Sequence, residues 1–247
     1  MKSGPSSVKE NVQRFNDDVR RTGSYAYTAG RKSSRLANAR ISEGIRNIFE
    51  YKDRRILDLG CGDGTYSLDF VEFGAREVLG IDPAESAVEA ARGRAANAGL
   101  TEKVRFEVGN IYDADIASKE GRFDCVVFRG VLHHLQDPPK ALACAASLTD
   151  AMIVLEPNGY NPVLKILESF SAYHLQHEEQ SFFPVKLIEW INATGLRVQM
   201  VRYLNLVPMF CPDWLATMCK AVEAGVERTP VLSKVACGQC LILATRV

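Results

Sequence analysis

An excess of charge of either sign is the first thing this chain lacks: 30 Lys and Arg residues offset 30 Asp and Glu over 247 residues. No net field draws it to nucleic acid or to an anionic membrane, although a local basic groove is compatible with a neutral total. Nucleic acid is therefore not expected as a partner. The roughly 18 consecutive apolar residues needed for a membrane span are absent too, so no stable membrane insertion is expected. The start, Met1-Lys-Ser-Gly-Pro-Ser-Ser7, has no apolar signal core. Cysteine pairs are scarce, since the seven cysteines are an odd number scattered singly apart from Cys237 and Cys240. That pair has a metal-like or redox-like spacing, but it leads straight into the apolar run Leu241–Thr245. No second Cys or His pair follows at a zinc-ligand distance. Two thiols at the start of a strand is the reading, no metal is predicted, and unpaired thiols suit a cytoplasmic protein. Internal repeats and low-complexity tracts are absent as well.

What is present is strand–helix alternation. Short β-type runs occur at Arg55–Leu59, Glu77–Ile81, Val104–Val108, Phe123–Phe128 and Met152–Leu155. Helical stretches separate them, among them Ala84–Ala98 and Pro138–Leu148, and an apolar stripe over Leu36–Phe49 precedes them. This order predicts an α/β fold with a parallel sheet covered on both faces. Residues 1–33 read as a polar N-terminal arm before a domain over 34–247, whose ligand-binding core spans about 51–157. Beyond Leu155 the rhythm changes. Helices are expected at about Val163–Ala172, Pro184–Ala193 and Trp214–Val226, and strands at Leu196–Leu206 and Gln239–Thr245. Two stretches, about 158–183 and 207–235, are too long for simple turns and are expected to form a lid over the sheet's C-terminal edge.

The first strand runs into Gly60-Cys-Gly-Asp-Gly64, with a helix expected from about Thr65. Glycines let the backbone pass close beneath a ligand, and a helix N-terminus presents unpaired N–H groups. Dinucleotide folds place Gly-x-Gly-x-x-Gly here. The spacing in this chain is Gly-x-Gly-x-Gly, with Asp58 before the loop and Asp63 inside it. Two carboxylates beside the turn would repel a pyrophosphate and suit a ligand carrying an ammonium and a sulfonium charge. Asp82, at the tip of the second strand, can accept both ribose hydroxyls. Asn110 can meet an adenine edge while Ile111 packs on its face.

Taken together, Asp58–Gly64, Gly80-Ile-Asp-Pro83, Gly109-Asn110 and Phe123–Leu135 resemble the ordered motifs of class I S-adenosylmethionine (SAM)-dependent methyltransferases. The resemblance covers about residues 55–156. It implies a Rossmann-like, seven-stranded, mostly parallel sheet with the last strand antiparallel. It also implies SAM contacts at Asp58, Gly60, Cys61, Gly62, Asp82, Pro83, Asn110, Ile111 and Arg129. Asn110 stands where many relatives carry Asp, and Arg129 where small or polar residues are common, so only a backbone contact is expected of Arg129. Tyr27, with Tyr25, is a candidate to close over the methionine end, or else ordinary packing.

The fourth strand leads into Arg129-Gly-Val-Leu-His-His-Leu135. By resemblance to sugar O-methyltransferases with a His-His pair, His133 is the candidate general base, with Glu156 at the tip of the fifth strand to orient it. A related group binds a divalent metal through a Glu-His pair, and His133 replaces that Glu. Tyr173, His174, His177 and Glu178 form a second polar cluster, readable as metal ligands, a second base or surface polar residues. With Phe182, Phe183 and Leu206–Phe210 they suggest a partly apolar acceptor pocket. The expected activity is methyl transfer to a small molecule on oxygen, such as a natural product, glycoside or lipid-linked compound. Nitrogen, carbon, RNA or protein acceptors are the alternatives. A nicotinamide-type oxidoreductase and a SAM-binding protein without chemistry are more distant ones.

Overall fold

A computed structural model describes residues 30–112, 119–170 and 181–246. In chain order the elements are α1 (Lys32–Arg46), β1 (Arg55–Leu59), α2 (Asp69–Glu72), β2 (Glu77–Asp82), α3 (Glu85–Asn97), β3 (Val104–Val108) and β4 (Cys125–Arg129). A 3₁₀ turn over Leu132–His134 follows, then α4 (Pro138–Leu148), β5 (Ala151–Pro157), α5 (Pro162–Phe170) and α6 (Pro184–Ala193). The chain continues through β6 (Arg197–Leu204), α7 (Asp213–Arg228), α8 (Pro230–Ala236) and β7 (Gln239–Thr245).

The seven strands form one sheet in the order β3-β2-β1-β4-β5-β7-β6. β7 runs antiparallel to both β5 and β6, and the remaining pairs are parallel. This is the mostly parallel sheet with an antiparallel last strand that the family resemblance implies. Alternation along each strand sends side chains to two apolar layers. Leu57, Leu79, Val126, Phe128 and Val154 face one, which α4 and α6 cover with Ala141, Ala145, Leu187 and Ile191. Ile56, Val78, Val127 and Ile153 face the other, covered by Ile41 and Ile45 of α1, Phe70 of α2 and Ala91 of α3. Strands buried on both faces need continuous apolar runs, which is why they are readable in the sequence. Each fully buried Leu, Ile or Phe contributes roughly 1.5–3 kcal/mol.

β1 pairs with β2 on one side and β4 on the other, so the strand order reverses beside β1. Open α/β sheets bind ligands in the crevice at such a reversal, beyond the C-terminal ends of the strands. The Gly60–Gly64 loop and the Arg129–His134 segment leave the sheet at that point.

Several details differ from expectation. The expected helix from Thr65 is instead a run of turns, with bonds such as Asp69 N–H to Tyr66 O and Phe70 N–H to Ser67 O, before the four-residue α2. Three-residue hydrogen-bonded turns bring the chain down more steeply than an α-helix beside the glycine loop. β4 starts at Cys125 rather than Phe123, which makes only an isolated bridge to Thr149. The helix at the N-terminal side begins at Lys32 and ends at Arg46, with Ser33 and Ser34 buried and both hydroxyls donating to Met209 O at 2.8 Å. α8 has no counterpart in the sequence reading. Between β6 and β7 the chain therefore forms two helices, of which α7 packs on α1 and α8 on α5.

Candidate active site

The glycine loop is held open by backbone geometry that other residues tolerate poorly. Gly60, Gly62 and Gly64 have φ of 79°, 54° and 71°. A Cβ on Gly60 would lie 2.5 Å from Val131 Cγ2, so this glycine lets the loop after β1 meet the loop after β4. Gly60 N–H donates to Ile81 O at 2.8 Å, which ties the loop to the end of β2.

Asp82 completes that tie. Its Oδ2 accepts the Gly62 N–H and its Oδ1 the Ala84 N–H, each at 2.9 Å. Burial pushes its pKa up and the two backbone bonds pull it down. A carboxylate has about four lone-pair sites, so hydroxyls of a ligand can still be accepted alongside these bonds.

Asp58 is buried beneath the loop, and its Oδ2 accepts the Ser67 hydroxyl at 2.6 Å. Burial raises its pKa to about 6, against the opposing Ser67 bond and the charge of Arg129, and with reinforcement from Asp82 and Asp69. Carboxylates Asp58, Asp82 and Asp63 also help to push the Cys61 thiol up, after burial itself. Such a concentration of partly desolvated negative charge favours a cationic ligand and disfavours a phosphate.

Asp63 requires a correction. The sequence reading sets it beside the turn as a second acid for a ligand, whereas its buried carboxylate is taken up by the loop and α3. Its Oδ1 accepts the Thr65 N–H at 3.1 Å and the Thr65 hydroxyl at 2.7 Å, and its Oδ2 lies 3.3 Å from Arg94 Nη2 of α3. Its charge is used in fixing the loop against α3, and Asp58 and Asp82 are left as the acids of the crevice.

At the end of β3, Asn110 Oδ1 accepts the Tyr112 N–H at 3.0 Å, while Ile111 is buried in the apolar layer. Pro83 is exposed at the start of the chain toward α3. Arg129 turns its side chain away from the strand end toward α1 and α2. Its guanidinium carbon lies 3.6 Å from the Tyr66 ring centroid, Nη1 donates to Ser42 Oγ at 3.0 Å and lies 3.7 Å from Asp69 Oδ2. Its partners Ser42, Tyr66 and Asp69 line a cleft of about 510 Å³ between α1 and Thr65–Phe73. The sequence reading missed Tyr66, Ser67 and Ser42, because they carry no motif of their own and only tertiary contact brings them to Arg129 and Asp58.

Across the crevice, β4 and β5 pair Arg129 with Leu155, which brings the next residues of both strands together. Glu156 is fully buried. Its Oε1 accepts the Val131 and Leu132 N–H groups at 2.9 and 2.7 Å, and its Oε2 meets His133 Nδ1 at 2.7 Å. A carboxylate oxygen accepts, so in this pair Nδ1 carries the ring proton and Nε2 is the basic nitrogen. His134 packs against His133, with ring centroids 3.9 Å apart. The arrangement can orient an imidazole and accept a proton.

Tyr25 and Tyr27, and the cluster Tyr173, His174, His177 and Glu178, lie outside the described residues. Cys237 and Cys240 are buried free thiols, whose pKa values burial pushes up to about 12. Among the described residues no group of three or more His, Cys, Asp or Glu could hold a metal ion. No helix among them is long and apolar enough to cross a membrane.

Comparison with known proteins bears on this geometry. The family profile described as a methyltransferase domain matches residues 50–183, more than half of the chain. The chain is 28% identical over 172 residues to a ubiquinone biosynthesis O-methyltransferase of Leptothrix cholodnii, covering 66% of this chain and 72% of the relative. A protein of the same name from Coxiella burnetii is 25% identical over 219 residues, covering 81% of this chain and 87% of its own. Among solved structures, magnesium protoporphyrin IX methyltransferase from Synechocystis PCC 6803 with bound SAM superposes with a TM-score of 0.67. It covers the whole of both chains at 14% identity, and so shares the fold.

Proposed function

The chain belongs to the class I SAM-dependent methyltransferases, and on that premise we propose that it methylates an oxygen of a small, partly apolar acceptor. The observation that carries the oxygen assignment is the His133 Nδ1–Glu156 Oε2 contact at 2.7 Å on a fully buried carboxylate. When bound, SAM supplies an activated methyl group to an in-line nucleophile. The chain's own work is then to position the acceptor, exclude water and remove the acceptor proton. An alcohol or phenol needs that last step, whereas many carbon and amine nucleophiles do not.

In this reading Asp82 accepts from the ribose hydroxyls, Asp58 balances the cationic end of the donor, and the loop of Gly60, Cys61 and Gly62 supports its methionine portion. Asn110 and Ile111 bound the adenine, with Pro83 beside the ribose. Arg129 contributes backbone, because its side chain is engaged with Tyr66, Ser42 and Asp69. His133 Nε2 takes the acceptor proton, and Glu156 fixes the ring and stabilises the imidazolium that forms. A small acceptor is supported by the two relatives named as ubiquinone biosynthesis O-methyltransferases. A partly apolar one is supported by Tyr160, whose ring meets those of Phe183 and Tyr203, and by the Phe182–Trp190 pair.

The experiment is label transfer from methyl-labelled SAM to parallel panels of phenols, alcohols and amines. Label on a phenolic or alcoholic oxygen is expected, and its loss on Glu156→Gln. Transfer to amines alone, unaffected by Glu156→Gln, would overturn the oxygen assignment and leave an N-methyltransferase.

A further inference from the structure

The helices between β6 and β7 carry their charges in an unusual arrangement. α7 has two carboxylates in its body, Glu223 and Glu227, and both point inward. Glu223 Oε1 accepts the Leu206 N–H at 3.1 Å. Glu227 Oε1 accepts the Asn205 N–H at 2.9 Å and the Arg40 Nε–H at 3.0 Å. The opposite stripe of the same helix, Trp214, Met218 and Val222 at four-residue spacing, is exposed, Trp214 by 64%. Residues four apart share one helix face. α8, in contact with α7, continues the apolar surface with Val231, Leu232 and Val235, all exposed. A surface helix ordinarily puts its apolar stripe inward and its charges outward. Here the carboxylates lock the helix to α1 and to the segment that follows β6, and the apolar stripe faces out.

The rim of this surface is basic. Between Asp213 and Ala236 the charged residues are Asp213, Lys220, Glu223, Glu227, Arg228 and Lys234. Lys220 is ion-paired with Glu223, and Arg228 and Lys234 are the exposed cations left against a single exposed acid, Asp213. Lys32 of α1 adds a third cation beside them, its Nζ donating to Thr217 Oγ1 at 2.8 Å. An apolar helical face holding Trp and rimmed by Lys and Arg matches an interface that is apolar at its centre and anionic at its border. A second copy of this chain set face to face would bring like-charged rims together, which disfavours that occupant.

We propose that the outward face of α7 and α8 docks the protein peripherally on an anionic lipid bilayer, with Trp214 entering the headgroup–acyl boundary. α7 and α8 follow the C-terminal end of β6, the edge of the sheet from which His133 and Glu156 also project. Docking there presents the active-site edge to acceptors dissolved in the bilayer. The placement of α7 and α8 carries this inference independently of any role for His133.

The test uses the full chain with Trp190→Phe, which leaves Trp214 as the single indole, the sequence having two. The phenyl ring keeps the contact that Trp190 makes with Phe182. With vesicles of phosphatidylcholine and phosphatidylglycerol, the emission of Trp214 is expected to shift to the blue and to be quenched by brominated acyl chains. Phosphatidylcholine vesicles alone are expected to give little of either, and added salt to weaken both. Replacing Trp214, Met218 and Val222 together by Ala should reduce vesicle cosedimentation about tenfold or more. SAM affinity in solution serves as the folding control and is expected to stay unchanged. Emission unmoved by anionic vesicles in a protein that binds SAM normally would overturn the proposal and leave the methyltransferase reading intact. A blue shift that grows with protein concentration without vesicles would also overturn it, in favour of self-association.

Discussion

Asp82 Oδ2 accepts the Gly62 N–H at 2.9 Å, so the tip of β2 clamps the glycine loop that follows β1. The same carboxylate also starts the chain toward α3 through the Ala84 N–H. Asp82→Ala is expected to weaken SAM binding by more than about tenfold, since hydrogen bonds to a charged acceptor are worth roughly 1.5–3 kcal/mol each. Asp82→Asn keeps one acceptor oxygen and should fall between the two. Calorimetric titration with SAM makes the comparison, and equal affinities would remove Asp82 from the site.

Asp58 gives the site a pH dependence. Burial raises its pKa from 3.8 to about 6 in the folded protein. A carboxylate whose folded pKa is raised holds its proton more tightly when folded. Its stability contribution is present below the unfolded value and is lost as pH rises through about 6. The ionised form at pH 8 then costs on the order of 3 kcal/mol in the ligand-free protein. Asp58→Asn is therefore expected to raise the melting temperature of the ligand-free protein at pH 8 by several degrees. The same variant should bind SAM more weakly, because the carboxylate that balances a cation is gone. Wild-type SAM affinity should decline as pH falls through about 6. Melting curves and titrations at pH 5 and 8 check both signs.

Gly60 meets Val131 where two loops cross. A methyl group on Gly60 would sit 2.5 Å from Val131 Cγ2, at a φ of 79° that is itself strained for a side chain. Gly60→Ala is expected to destabilise the fold by roughly 2–4 kcal/mol. Adding Val131→Ala removes the clash and leaves the backbone strain, so the double variant should be more stable than the sum of the singles by about 1 kcal/mol or more. Denaturant melts of the four proteins provide the cycle, and strict additivity would mean the clash is relieved elsewhere.

Much of this architecture is legible in the sequence for a definite reason. β1 and β7 have the boundaries expected because each lies between two strands and is mostly apolar, whereas the edge strand β3 is legible from the alternation of Val104, Phe106 and Val108 with Arg105 and Glu107. His133 and Glu156 are expected to meet because one follows the fourth strand and the other sits at the tip of the fifth, and β4 and β5 prove to be neighbours. Direction is what the sequence conceals. Asp63 sits in the motif like a ligand-facing acid, yet Arg94, distant in sequence, draws its side chain toward α3. The residues after the loop have helical composition, but the steep descent beside the glycines favours three-residue turns over an α-helix until Asp69. Arg129 departs from the family pattern, and its partners Tyr66, Ser42 and Asp69 come from two different helical segments that no local signal joins. α8 is too short for its periodicity to stand out.

The central claim is that His133, oriented by Glu156, removes the acceptor proton while Asp58 and Asp82 hold the donor. The most direct measurement compares wild type with His133→Ala for turnover on the best oxygen acceptor and, in parallel, for SAM affinity by calorimetry. A fall in turnover of about a hundredfold or more with SAM affinity within a factor of about two is predicted. Turnover that survives His133→Ala, or SAM affinity that collapses with it, would contradict the account.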